Sequence, residues 1–268
     1  MARLRFLDIP PRLELDPDGH GRAIGTLVLI HGFPLSAHSW ERQFVLSESG
    51  WRLIVPHLRG FDEGADGRSR TSMDDHAGDI IDLLDSLHIE QAVIGGLSMG
   101  GYVTFALLRN APSYFKGLLL ADTRPQADTT EGKAARERMV AMVREKGPSA
   151  VADDMLPKLL GETSRREQPG LVEEVRGIIM SNGTEAIADA LTAMMRRPDS
   201  TTTLRTIKVP TLILVGDEDT VTPPELSVDM NSAIAGSQLV RIPRAGHLAN
   251  MEQPEVFNHA VARFLQRF

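Results

Sequence analysis

Cysteine is absent from the 268 residues. That excludes disulfides, a thiolate nucleophile, iron–sulfur clusters and cysteine-type zinc sites. Aromatic residues are scarce, at 5%. A basic excess is missing too. Lys and Arg total 29 against 36 Asp and Glu, a net charge of −7, which argues against nucleic acid or an anionic membrane as the main partner. No apolar run is long enough to span a bilayer. The stretch Met1 to Pro10 carries Arg3, Arg5 and Asp8 and lacks the apolar centre of a secretory signal. A cytoplasmic location without a membrane partner is therefore expected. Internal repeats and low-complexity tracts are lacking, as are the H-E-x-x-H, P-loop and G-x-G-x-x-G fingerprints. What is present is a hydrophobic share of 42%, ordinary for a globular protein, in a chain long enough to bury a large core.

Short apolar runs alternate with helical patterns. The runs are Thr26–Ile30, Arg52–Val55, Gln91–Ile94, Gly117–Leu120, Thr211–Val215 and Ser237–Ile242. Lacking polar alternation, they suit strands covered on both faces of a parallel sheet. Between them, Ser72-Met-Asp-Asp75 has the form of a capping box. Behind it Met73, Ala77, Ile80, Ile81, Leu84 and Leu87 recur at helical spacing. Thr222-Pro-Pro-Glu225 predicts a second helix, with Thr222 as its cap and Gly236 at its end. A last helix opens near Pro254. The pattern is α/β. Between Arg124 and Ile207 the rhythm breaks into four helical stretches, near 133–146, 149–160, 168–182 and 184–197. Residues 1–123 and 208–268 thus read as one sheet domain, interrupted by a helical insertion over 124–207. Six of the 11 methionines (Met139, Met142, Met155, Met180, Met194 and Met195) lie in that insertion. They read either as helical core filler or as a flexible apolar lid. Arg136, Arg165, Arg166, Arg196 and Arg197 read as its solvated face.

The sharpest local signal is Gly96-Leu-Ser98-Met-Gly100, between an apolar run and a helical one. Strand, tight turn and helix are the context a nucleophile elbow requires. A serine hydroxyl needs a base, and the base an orienting carboxylate. His247, in Ala245-Gly-His247 just past the last strand, sits where ligands meet an open sheet. The other histidines fit less well: His20 in an N-terminal turn, and His76, His88 and His259 on or beside helices. Asp219, in Gly216-Asp-Glu-Asp219, is the preferred acid; Asp217 and Asp122 are its rivals. For the oxyanion, His31-Gly32-Phe33-Pro34 follows a strand and offers the Phe33 N–H beside that of Met99.

Taken together, these pieces resemble the α/β-hydrolase family over nearly the full chain. The resemblance rests on His31-Gly32-Phe33-Pro34, Arg59-Gly60, Gly96-Leu-Ser98-Met-Gly100, Gly216-x-x-Asp219 with Pro223, and Gly246-His247 followed by Glu252-x-Pro254. It implies Ser98 as nucleophile, His247 as base and Asp219 as acid, with Phe33 and Met99 as backbone oxyanion donors. It also implies an eight-stranded, mostly parallel sheet whose second strand is antiparallel, with a helical cap after the sixth strand. Within the family the chain is similar to small bacterial esterases and lactonases, including enol-lactonase and cofactor-free haloperoxidase-like groups. Two departures stand out. His57 occupies the position of an aspartate in the usual Pro-Asp-x-Arg-Gly stretch, and reads as a loop residue. The loop Phe61–Gly67 lacks the usual Gly-x-Ser ending.

Ser98 at the nucleophile position argues against dehalogenase and epoxide hydrolase chemistry, both of which use an aspartate ester. The insertion also lacks tyrosine. The expected activity is serine hydrolysis of small carboxylic esters through an acyl-enzyme, without cofactor or metal, on a small-molecule ester or lactone. A lactonase or a carbon–carbon bond hydrolase would use the same triad, and peroxide could attack the same acyl-enzyme. A binding protein that keeps the triad as a relic is the alternative of a different kind.

Overall fold

The computed structural model describes residues 4–12, 23–62 and 69–268. Its strands are β1 (Phe6–Ile9), β2 (Gly25–Ile30), β3 (Trp51–Pro56), β4 (Ala92–Leu97), β5 (Phe115–Ala121), β6 (Thr211–Gly216) and β7 (Gln238–Ile242). They form a seven-stranded sheet in the order β1-β3-β2-β4-β5-β6-β7 among the described residues. All neighbours pair in parallel except β1, which runs antiparallel along the β3 edge.

The expected eight strands are therefore corrected to seven. The antiparallel strand is the first, and the helical insertion follows the fifth strand. Each of the six apolar runs became a strand. Ahead of them, among the described residues, Phe6–Ile9 pairs, and it stops at Pro10-Pro11, because proline cannot donate to a ladder. His20 and most of the Phe61–Gly67 loop lie outside the described residues.

Alternate residues of each strand feed opposite faces. Val28, Ile30, Ile54, Ile94, Leu118 and Ile213 share one core with residues of α1 (Met73–Ser86) and α2 (Met99–Asn110). Leu27, Leu29, Leu53, Val93, Leu119 and Leu212 meet Trp40, Trp51 and Phe257 on the other face. Ser72 caps α1 as its sequence predicts, accepting the Asp75 N–H at 3.0 Å. Between β5 and β6 run α3 (Thr130–Lys146), α4 (Pro148–Leu159), α5 (Glu162–Glu167), α6 (Pro169–Met180) and α7 (Thr184–Arg196). Four of these match the expected stretches, and the short α5 is additional. After β6 come α8 (Pro224–Ala233), α9 (Ala249–Glu252) and α10 (Pro254–Leu265). Among the described residues no helix is long and apolar enough to cross a membrane.

The ends of the insertion are tied together. Ser200 N–H donates to the Pro125 carbonyl at 2.9 Å, and Arg197 donates to the Gln126 carbonyl at 2.9 Å. Arg197 is buried, stacks on Tyr102 and pairs with Asp128 at 3.0 Å. Arg136 holds the same carboxylate at 2.6 Å. For these two arginines the solvated-face expectation is corrected. A buried aspartate needs cations beside it, and both supply charge to Asp128. Met194 is core, Met139, Met142 and Met155 pack against core, and Met180 is exposed.

Candidate active site

Ser98 sits at the turn between β4 and α2 with φ 53° and ψ −114°. A non-glycine residue there carries backbone strain of about 1–3 kcal/mol, tolerated only where the surroundings enforce it. Here they do. Ser98 N–H donates to the Ala121 carbonyl at 2.9 Å, and the Ser98 carbonyl accepts the Thr123 hydroxyl at 2.8 Å. The flanking glycines permit the turn. A Cβ on Gly96 would lie 2.2 Å from the Gly100 backbone, and one on Gly100 would lie 2.2 Å from the Ile30 carbonyl oxygen.

Three side chains from distant segments converge at this turn. His247 Nε2 lies 2.8 Å from Ser98 Oγ, and its Nδ1 lies 2.8 Å from Asp219 Oδ2. All three are buried. Asp219 Oδ1 accepts the N–H groups of Val221 and Thr222 at 2.8 and 2.9 Å, an Asx turn. Oδ2 also accepts the Thr222 hydroxyl at 2.6 Å. Burial alone would raise the Asp219 carboxyl. The His247 charge and the bonds from His247 and Thr222 outweigh it and hold Asp219 below the ordinary value.

Thr222 was expected to cap a helix. Instead α8 starts at Pro224, and the hydroxyl serves Asp219. Its place three residues after the acid was the available signal. The rival acids are elsewhere. Asp217 pairs with Arg241 at 2.6 Å near the surface. Asp122, fully buried at the end of β5, accepts the Gly216 N–H at 2.8 Å. Burial, reinforced by the nearby Asp219, raises its carboxyl well above the ordinary value, which favours the neutral form.

The turn after β2 approaches the same serine. A Cβ on Gly32 would lie 3.3 Å from Ser98 Cβ. The Gly32 carbonyl accepts the Leu35 N–H at 3.0 Å and faces His31 Nδ1 at 2.9 Å. The Leu58 N–H donates to His31 Nε2 at 3.0 Å, so the ring proton sits on Nδ1. Burial pushes His31 down to about 3, which keeps it neutral. Gly32 C=O and Phe33 N–H share one planar peptide, so fixing the carbonyl also fixes the N–H. Met99 is the first residue of α2, where a backbone N–H has no partner within the helix.

The His247 loop is braced from the insertion. His247 N–H donates to the Leu159 carbonyl at 3.0 Å. Buried Glu252 accepts Gly246 and Leu248 N–H groups on Oε1, at 2.9 and 3.1 Å, and the Gly161 N–H on Oε2 at 2.8 Å. Burial raises the Glu252 carboxyl above its ordinary value, against the lowering effect of these bonds. Sequence reasoning noted Glu252 only as part of a pattern and missed this bracing. Of the other histidines weighed from the sequence, His76 is buried in α1, and His88 and His259 are exposed on the surface.

Comparison with known proteins agrees with this architecture. Residues 25–254 match the alpha/beta hydrolase fold family. A thermophilic esterase from Thermogutta terrifontis superposes with a TM-score of 0.90 at 39% identity, covering 98% of this chain and 93% of its own. The enol-lactonase from Burkholderia xenovorans LB400 gives a TM-score of 0.87 at 25% identity, covering 98% of this chain and 96% of its own. A 3-oxoadipate enol-lactonase from Acinetobacter baylyi is 26% identical over 90% of this chain and 89% of its own length.

Proposed function

The chain belongs to the alpha/beta hydrolase fold family, and we propose that within it the protein is a serine hydrolase of small carboxylic esters. One observation carries this reading: the unbroken hydrogen-bonded chain Ser98–His247–Asp219, mounted on a strained elbow. Ser98 Oγ attacks the ester carbonyl carbon while His247 Nε2 takes the hydroxyl proton. Asp219 orients the ring and stabilises the imidazolium. The Phe33 and Met99 N–H groups receive the developing oxyanion. His247 then returns its proton to the leaving alcohol, giving a Ser98 acyl-enzyme. A water deprotonated by His247 hydrolyses it and restores the serine. No cofactor or metal takes part.

We assign residues 124–207 as a cap over this site. The tied ends at Pro125 and Ser200 support a discrete insertion, and the packing of Met139, Met142, Met155 and Met194 favours core filler over a flexible lid. The esterase likeness at 39% identity supports ester cleavage, while likeness to enol-lactonases keeps a cyclic ester as the second reading. A fluorophosphonate should label the wild-type protein and leave Ser98→Ala unlabelled. A panel of aryl esters, alkyl esters, lactones and β-diketones then sorts the substrate class. Turnover of lactones with failure of every open ester overturns the esterase reading. Labelling of Ser98→Ala overturns the nucleophile.

A further inference from the structure

Outside the Ser98 site, three potential ligand side chains face one another. His57 is buried at the end of β3, and its Nδ1 has no hydrogen-bond partner. That nitrogen lies 3.4 Å from Asp62 Oδ2. His38, in the 3-10 helix Ala37–Ser49, brings its Nε2 to 3.6 Å from the same oxygen. The two rings meet edge to face with centroids 5.3 Å apart. All three ligand atoms lie within 4.8 Å of one another, the one such cluster of His, Asp and Glu among the described residues. Separations of 3.4 and 3.6 Å are long for hydrogen bonds. A buried imidazole nitrogen left unpaired beside a carboxylate needs a different partner.

We propose that His38, His57 and Asp62 bind one first-row divalent cation, with zinc as the best match. Metal–ligand bonds of about 2.0–2.2 Å in a tetrahedron place neighbouring ligand atoms roughly 3.3–3.6 Å apart. The two His–Asp separations already have that size. Two imidazoles and one carboxylate suit zinc or cobalt over the oxygen-seeking magnesium and calcium. Water supplies the fourth ligand. An outer support is also present: His38 Nδ1 lies 2.6 Å from Glu41 Oε1, the arrangement that orients a metal-bound histidine. Arg5 contacts Asp62 Oδ2 at 3.3 Å and donates to the Asp62 carbonyl. Its side chain is 57% exposed, so it can turn toward solvent as the ion enters.

The ion would clamp the 3-10 helix, the end of β3 and the Phe61–Asp62 turn together. Leu58, next to His57, donates to His31, which in turn fixes the Gly32 carbonyl. The clamp therefore adjoins the support of the Phe33 turn without entering the triad. Titration of the full-length protein with Co2+ tests it. The expected result is one ion per chain, the visible bands of tetrahedral cobalt, displacement by Zn2+, and a rise in melting temperature reversed by EDTA. His38 is 40% exposed, so His38→Ala should fold, and it should weaken binding by more than about 100-fold. Glu41→Gln should weaken it about 10-fold, the loss typical of an outer partner. Arg5→Ala should tighten it. Absence of the cobalt bands, or undiminished binding in His38→Ala and Asp62→Asn, overturns the proposal.

Discussion

The proposed acid, Asp219, can be separated from its buried neighbour Asp122 by two isosteric substitutions. In Asp219→Asn, the side-chain oxygen will take the Oδ1 position, where the Val221 and Thr222 N–H groups point. The amide NH2 then occupies the Oδ2 position, 2.8 Å from His247 Nδ1. An amide there donates, so Nδ1 must accept and the ring proton moves to Nε2. His247 then presents a hydrogen to Ser98 and cannot take one. The same substitution in a Ser-His-Asp protease lowers kcat about 10⁴-fold, roughly 5.4 kcal/mol at 1.36 kcal/mol per decade. Asp122→Asn changes far less. Burial favours the neutral form of Asp122, which an amide resembles, and an amide oxygen can keep the bond from the Gly216 N–H. Its turnover is expected to stay within about tenfold of wild type, roughly 1.4 kcal/mol. Stability should respond in the opposite way. The unfolded Asp122 carboxyl loses its proton near the ordinary 3.8, while the folded one keeps it to higher pH. The native state therefore binds more protons above that value, and wild type loses stability as pH rises toward the folded value. Asp122→Asn should remove this slope. The assays are kcat on an aryl ester at several pH values and urea unfolding across the same range. A 10³-fold loss in Asp122→Asn with Asp219→Asn near wild type would refute the assignment.

Substitutions at three further positions probe the supports. Thr222→Val removes the 2.6 Å bond to Asp219, and is expected to cost about 1.5–3 kcal/mol in urea unfolding and roughly tenfold in kcat; an unchanged variant in both assays counts against that bond. Glu252→Ala leaves the N–H groups of Gly246, Leu248 and Gly161 unpaired, at about 1–3 kcal/mol each. A loss of at least about 3 kcal/mol is expected by urea unfolding, and Glu252→Gln should recover part of it. Asp128 is buried, which alone would raise its carboxyl, but bonds from Arg136 and Arg197 bring it down to about 2. Its contribution is present above the ordinary 3.8 and is lost as pH falls toward 2. Asp128→Asn should lack that acid-side loss and, by stranding buried Arg197, destabilise at neutral pH by about 3–5 kcal/mol.

What could be read from the sequence divides by the distance over which each residue acts. Ser98 was legible because its turn makes local demands. Gly96 and Gly100 are needed by atoms only a few residues away or on the adjoining strand. The five central strands, β2 to β6, were legible for a related reason: burial on both faces leaves no place for polar alternation. An eighth strand came from resemblance alone, with no apolar run of this chain behind it. Thr222 shows how a local rule misleads. Threonine before proline and glutamate fits a helix cap, and only the position of His247, 25 residues on, reveals that the hydroxyl serves Asp219. Glu252 reaches Gly161 across 91 residues, and Arg197 reaches Asp128 across 69. No periodicity encodes such contacts, so a buried brace and a solvated charge look alike in one dimension. His57 carries this furthest. Its departure from the usual aspartate was visible, but its meaning depends on His38 and Asp62, which only the folded chain brings beside it. In this protein the proposed nucleophile sits on backbone that announces itself. Residues that brace the fold around it, such as Glu252 on Gly161 and Arg197 on Asp128, are chosen by partners far along the chain.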